Sequence, residues 1–212
     1  MNSDSSIARL RKWGALASLV MVAASVISAL VYLSGNLRDA LGPLAYALAD
    51  FLYGPVWAAS LVAVMLALKA HIGERAPRRM KLALLIALAA ASAVVAVAAI
   101  RSANRHYHLL HPDLHLEDST TVLIVWATLV AGAIGTAWHL LGWAWVLVGA
   151  SGWTTGGLPR GLSALYLAAG VASLFVYLLP DLEGAAMTLG LVVSVWQGIL
   201  LWKAKPSGSG RP

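Results

Sequence analysis

The chain has 212 residues, of which 60% are hydrophobic and only 11% charged, against about 45–50% and about 25% in a soluble domain. So few charges cannot clothe a water-facing surface of this size, which excludes a soluble enzyme, a nucleic-acid-binding domain and a disordered protein. The net charge of +6 lies at the ends of apolar runs, where it sets membrane orientation and implies no nucleic-acid partner. With no cysteine, disulfides, zinc–thiolate sites, iron–sulfur clusters and thiol catalysis are excluded as well.

Apolar runs long enough for a hydrocarbon core, which about 20 helical residues cross, fall at 13–34, 44–69, 81–101, 121–149, 160–180 and 184–203. The first follows Arg9-Leu10-Arg11-Lys12 and has the outline of a secretory signal. It exceeds the apolar region of about 7–15 residues usual for such signals, so it reads as a retained span. Gly42-Pro43, Ala76-Pro77, His111-Pro112, Gly156-Gly157 and Pro180-Asp181 punctuate the intervals between runs. The fold class expected is all-α: a polytopic membrane protein with six transmembrane helices in one domain over residues 1–205. Residues 206–212, Pro-Ser-Gly-Ser-Gly-Arg-Pro, read as a flexible tail.

Cationic loops resist translocation, so the more basic side is cytoplasmic. On one side fall Arg9, Arg11, Lys12, Lys69, Arg75, Arg78, Arg79, Lys81, Arg160, Lys203, Lys205 and Arg211, and on the other only Arg38, Arg101 and Arg105. Both termini are therefore expected in the cytoplasm, in a plasma or inner membrane. Trp13, Tyr32, Tyr46, Trp153 and Trp202 lie where an interfacial aromatic belt belongs.

Helices associate in lipid through small residues that let backbones approach. In the fourth span Ala127, Ala131 and Gly135 recur every four residues and His139 and Gly142 follow, which predicts a packing stripe with His139 facing the bundle. The third span is nearly all Ala and Val from Ala83 to Ala99; so thin a helix is expected at the bundle centre.

Asp50 is the carboxylate that these spans place inside the membrane, roughly 10 Å below the outer boundary. An ionisable group at that depth is a candidate functional site. Tyr46 and Tyr53 share its helix face by spacing, with Gly54 and Trp57, and Arg101 is its expected partner. The alternative is a structural lock that fixes helix register. His139, inside the fourth span, is a candidate haem or metal ligand or proton relay, set against a histidine hydrogen-bonded to a neighbouring helix. The external stretch from Arg105 to Asp118 is rich in histidine. There His108, His111 and His115, flanked by Asp113, Glu117 and Asp118, have donors suited to Zn²⁺ or Cu²⁺; the alternatives are a hydrated loop or a pH-sensing one. Motifs of serine hydrolases, zinc proteases and phosphate-binding loops are absent, and lysines stand only at the ends of spans, not in the interior where a retinal Schiff base would need one.

The residues His139-Leu140-Leu141-Gly142, Leu158-Pro159-Arg160-Gly161-Leu162, Gly170 and Ala49-Asp50 resemble a bacterial family of six-helix membrane proteins known only as a domain of unknown function. The resemblance lies mainly over residues 127–175. The interval between His139 and Pro159 is longer here than in the family pattern, and the external histidines are not part of it. The resemblance implies a bacterial inner-membrane bundle and no reaction or cofactor.

The function expected is that of a non-enzymatic accessory, sensor or partner-binding protein, whose partners are the lipid bilayer and another membrane protein or a second copy. Two alternatives stand beside it: a metal- or haem-binding membrane protein using the external histidines or His139, and a small-solute or proton carrier built round Asp50 and Arg101.

Overall fold

The computed structural model describes residues 3–34, 36, 40–110 and 120–204, and the regular structure among them is entirely helical. Helix α1 is Ser3–Leu33. Helix α2 is one continuous rod made of Pro43–Phe51, a π-helical turn Leu52–Val56 and Trp57–Ile72. Then come α3 (Pro77–Leu110), α4 (Thr120–Thr155), α5 (Arg160–Phe175) and α6 (Leu182–Lys203). Five of these rods are long and apolar enough to cross a membrane, whereas α5 has only 16 residues and extends about 24 Å. The tail 206–212 lies outside the described residues.

The ends follow from local chemistry. Pro43 begins α2 and Pro77 begins α3, where the missing N–H of proline is an orphan anyway. Gly156, at φ +64°, takes the left-handed conformation that ends α4 and that other residues resist. Inside the apolar rods hydroxyls bond back along their own helix: Ser25 donates to the Met21 carbonyl at 2.9 Å and Ser173 to that of Ala169 at 2.8 Å. Those hydroxyls are thereby satisfied without water, whereas the buried hydroxyls of Ser18 and Ser163 have no hydrogen-bond partner among the described residues.

The six rods form a closed ring in which each packs on its neighbours in sequence and α6 returns to α1, while α2 also touches α4 and α6 across the middle. Short connections force this order, because consecutive helices are left antiparallel and adjacent. The thin helix α3 is therefore not central, contrary to the reading of its composition. Ala83, Ala87 and Ala90 bury one face against the core, while Leu82, Leu85 and Leu88 point outward. The apolar face of α2 (Leu61, Val64, Met65, Leu68) holds the middle instead.

The small-residue stripe on α4 also differs from the expected one. Gly135, Gly142 and Gly149 meet the α5 side of the ring: a β-carbon on Gly142 would stand 2.8 Å from the Gly170 carbonyl, and one on Gly149 2.9 Å from that of Ser163. Steps of four residues drift about 40° round a helix, whereas steps of seven drift only about 20°. A stripe of period four winds off the contact, which leaves Ala127, Ala131 and His139 exposed.

Candidate functional site

The site forms where the C-terminal end of α1, the first turns of α2 and the last turns of α3 meet. Asp50 is 5% exposed. The Tyr32 hydroxyl donates to its Oδ1 at 2.5 Å, Arg101 Nε lies 3.3 Å from the same oxygen, and Arg105 Nη1 donates to Oδ2. Arg101 also donates to the Tyr32 hydroxyl and lays its guanidinium over the Tyr32 ring, 4.7 Å from the centroid. Beside them Ser28 of α1 donates to the Ala49 carbonyl at 3.1 Å. One carboxylate thus takes three donors from two other helices. The two arginine side chains remain 24% and 26% exposed, so the cluster carries one net positive charge on its open side.

Local sequence explains how Asp50 reaches this position. Pro55 has no N–H to give to the carbonyl one turn back, and the chain widens into the π-helical turn Leu52–Val56 around it. Gly54 lets α2 and α3 close together, since a β-carbon there would meet that of Ala98 at 2.4 Å. A cavity of about 300 Å³ opens beside the pair, lined by Asp50, Phe51, Pro55, Ala98, Ser102 and Arg105 among others.

Of the residues singled out from sequence, Asp50 and Arg101 are brought together and Tyr46 stands at the cluster edge, its ring 5.9 Å from that of Tyr32. Tyr53 is not part of the cluster. The wider turn rotates it away from Asp50, and its ring lies 6.0 Å from that of Trp57. There it faces two small internal spaces of about 30 Å³ each, shared with Trp138 and Leu141. His139 faces outward and not into the bundle; its Nε2 accepts the Trp143 indole N–H at 3.2 Å. Helix α3 runs past Arg101 to Leu110 and so carries the backbone of His108, while His111 and His115 lie outside the described residues.

Sequence reasoning missed Tyr32 and Arg105 as partners of Asp50. Arg105 stands one turn after Arg101, and the signal that could have found it is that i, i+4 spacing on a helix longer than its apolar run. It also missed two polar links between α4, α5 and α6. The Tyr166 hydroxyl donates to buried Gln197 Oε1, and Trp138 Nε1 donates to Glu183 Oε1 at 3.2 Å. Gln197, the one amide inside the last apolar run, was the available clue. Chemically the Asp50 cluster can tie three helices together and can hold a polar or anionic group against Arg105 at its open side. No protein-family model matches this chain, and neither a curated protein nor a solved structure does.

Proposed function

We propose that this chain is a non-enzymatic bacterial inner-membrane protein that crosses the bilayer six times with both termini in the cytoplasm and binds a partner, either another membrane protein or a second copy, at its periplasmic end. The observation that carries the reading is that Asp50, the buried carboxylate, takes Tyr32, Arg101 and Arg105 at once. Ionisable groups at membrane depth are thereby tied to each other, and they brace the end of the bundle from which the histidine-rich sequence leaves α3. The positive-side bias and the six-helix resemblance support the topology.

The absence of cysteine makes the topology directly testable. A single Leu178→Cys, in the exposed turn after α5, reacts with a membrane-impermeant maleimide on intact cells, while Arg78→Cys reacts only after permeabilisation. The reverse pattern overturns the orientation, and equal labelling of both overturns the even number of crossings.

A second reading, a small-solute or proton carrier, draws support from the cavity of about 300 Å³ beside Asp50 and Arg105. The two separate on Asp50→Asn. A brace predicts a lower melting temperature, whereas a carrier predicts a folded variant that no longer moves solute or protons in proteoliposomes. The metal- or haem-binding reading names His108, His111, His115 and His139, and an absorption spectrum with assays for bound Zn, Cu and Fe on the purified protein tests it.

A further inference from the structure

The cavity of about 300 Å³ beside Asp50 is a groove between α2 and α3, polar at one end and apolar along the rest. From Arg105 at the polar end to Val95 at the apolar end it follows α3 for about 15 Å, at 1.5 Å per helical residue. Phe51, Pro55, Val95 and Ala99 of its wall are exposed, so on a membrane-spanning bundle the groove opens to lipid. We infer that it holds a phospholipid, with the phosphate on Arg105 and an acyl chain laid along the wall toward Val95.

The first support is charge. Arg105 donates Nη1 to Asp50 Oδ2, and its other N–H groups meet no acceptor among the described residues. Its side chain is 26% exposed and lines the groove, so those donors face whatever enters. Arg101 is engaged with the same carboxylate and with the Tyr32 hydroxyl. Two guanidinium groups against one carboxylate leave a single positive charge, which the single negative charge of a phosphodiester neutralises. Guanidinium N–H groups match phosphate oxygens in geometry as well as in sign.

The second support is the order of polarity along the groove. Arg105 and Ser102 stand at the end of the apolar run of α3, and one to three turns further in the wall becomes Ala99, Ala98 and Val95. Gly54 and Ala98 bring the helices together as a floor, and the wider turn at Pro55 forms the facing side. A headgroup followed by a chain has the same order, whereas a soluble anion would use Arg105 and leave the apolar wall empty. Side chains are no more apolar than lipid tails, so a chain is held here by close fit against small residues, and the cation fixes its headgroup. Such a site rests on the membrane-spanning reading, whichever end of the bundle is cytoplasmic. The maleimide pattern therefore judges the orientation, and the lipid response judges the site.

The test uses the full chain, stripped of lipid in a neutral detergent, and follows its melting temperature with three probes. Dioleoylphosphatidylglycerol is the whole ligand, dioleoylglycerol has the chains without the phosphate, and glycerol 3-phosphate has the phosphate without the chains. The whole lipid is expected to stabilise saturably, and each fragment only at concentrations at least about tenfold higher. Arg105→Gln weakens the response to the whole lipid about tenfold, as loss of one charge-assisted bond does, and leaves that to dioleoylglycerol unchanged. Ala99→Phe, at an exposed position away from the ion cluster, fills the groove and removes the response; it decides the matter if Arg105→Gln is too unstable to purify. Leu129→Phe, on the exposed face of α4, leaves the response as it is in the parent chain. No response to the whole lipid, a response that either fragment equals, or an unaltered response in Ala99→Phe overturns the inference.

Discussion

Gly54 of α2 lies against Ala98 of α3 so closely that a β-carbon on the glycine would stand 2.4 Å from the alanine's own. Gly54 is one turn beyond Asp50 and Ala98 one turn before Arg101, so this contact sets the distance across which the ion pair forms. Neither helix can hold its charged residue in place if the backbones separate here.

Substituting Gly54 with alanine is therefore expected to destabilise the bundle by about 1–3 kcal/mol, the usual range for forcing a methyl into filled space. Ala98→Gly in the same chain should recover most of the loss, because it removes the opposing methyl. A double-mutant cycle on thermal unfolding in detergent checks this, and additive losses would show that the contact is not shared.

Asp50→Asn leaves two guanidinium groups without their common anion. Breaking a largely buried pair from one side costs about 3 kcal/mol, and a lower melting temperature of about that equivalent is expected. Replacing the ionic group as a whole, with Asp50→Leu, Arg101→Met and Arg105→Met together, should recover most of the stability, since apolar side chains of similar volume need no counter-charge. A triple variant as unstable as Asp50→Asn would mean that the cluster contributes more than a compensated burial.

Tyr166 and Gln197 are both buried and bonded to each other. Tyr166→Phe strands the Gln197 carbonyl, and about 1 kcal/mol of stability should go with it. Pairing Tyr166→Phe with Gln197→Leu should cost less than the two single changes summed, because both polar groups leave together. Unfolding midpoints of the four proteins decide the point.

His139 and Trp143 touch only on the outer surface of α4. His139→Leu is expected to move the stability by no more than about 0.5 kcal/mol, as exposed substitutions usually do. A large loss measured in lipid nanodiscs, with none in detergent, would instead reveal that another protein surface covers this face.

Much of the architecture was legible along the chain, because a span is a local property: about 20 uncharged residues match the thickness of the hydrocarbon whatever surrounds them. A helix falls on each apolar run, but the lengths differ: α1 begins at Ser3, α3 runs on to Leu110 and α4 to Thr155, while the run 160–180 yields a helix ending at Phe175. Asp50 and Arg101 were legible as a pair for a similar reason, since a carboxylate in an apolar run needs a cation and Arg101 was the nearest in depth. Tyr32 was read as a belt residue because its role depends on where α1 crosses α2, and spacing along one helix carries no such information.

Residue order alone gave a set of apolar helices and a carboxylate among them, but not every helix end: α1 begins ten residues before its apolar run and α3 ends nine residues after its own. Packing fixes which helix occupies the middle of the ring, which glycines on α4 make contact, and that Asp50 answers to two arginines and a tyrosine instead of one arginine. Composition measures how willing a residue is to leave water, and that willingness is spent within a single helix. Which neighbour it then meets is decided by close packing between rods, where a rotation of a few tens of degrees turns His139 from the interior to the outside and Tyr53 from the carboxylate to the core.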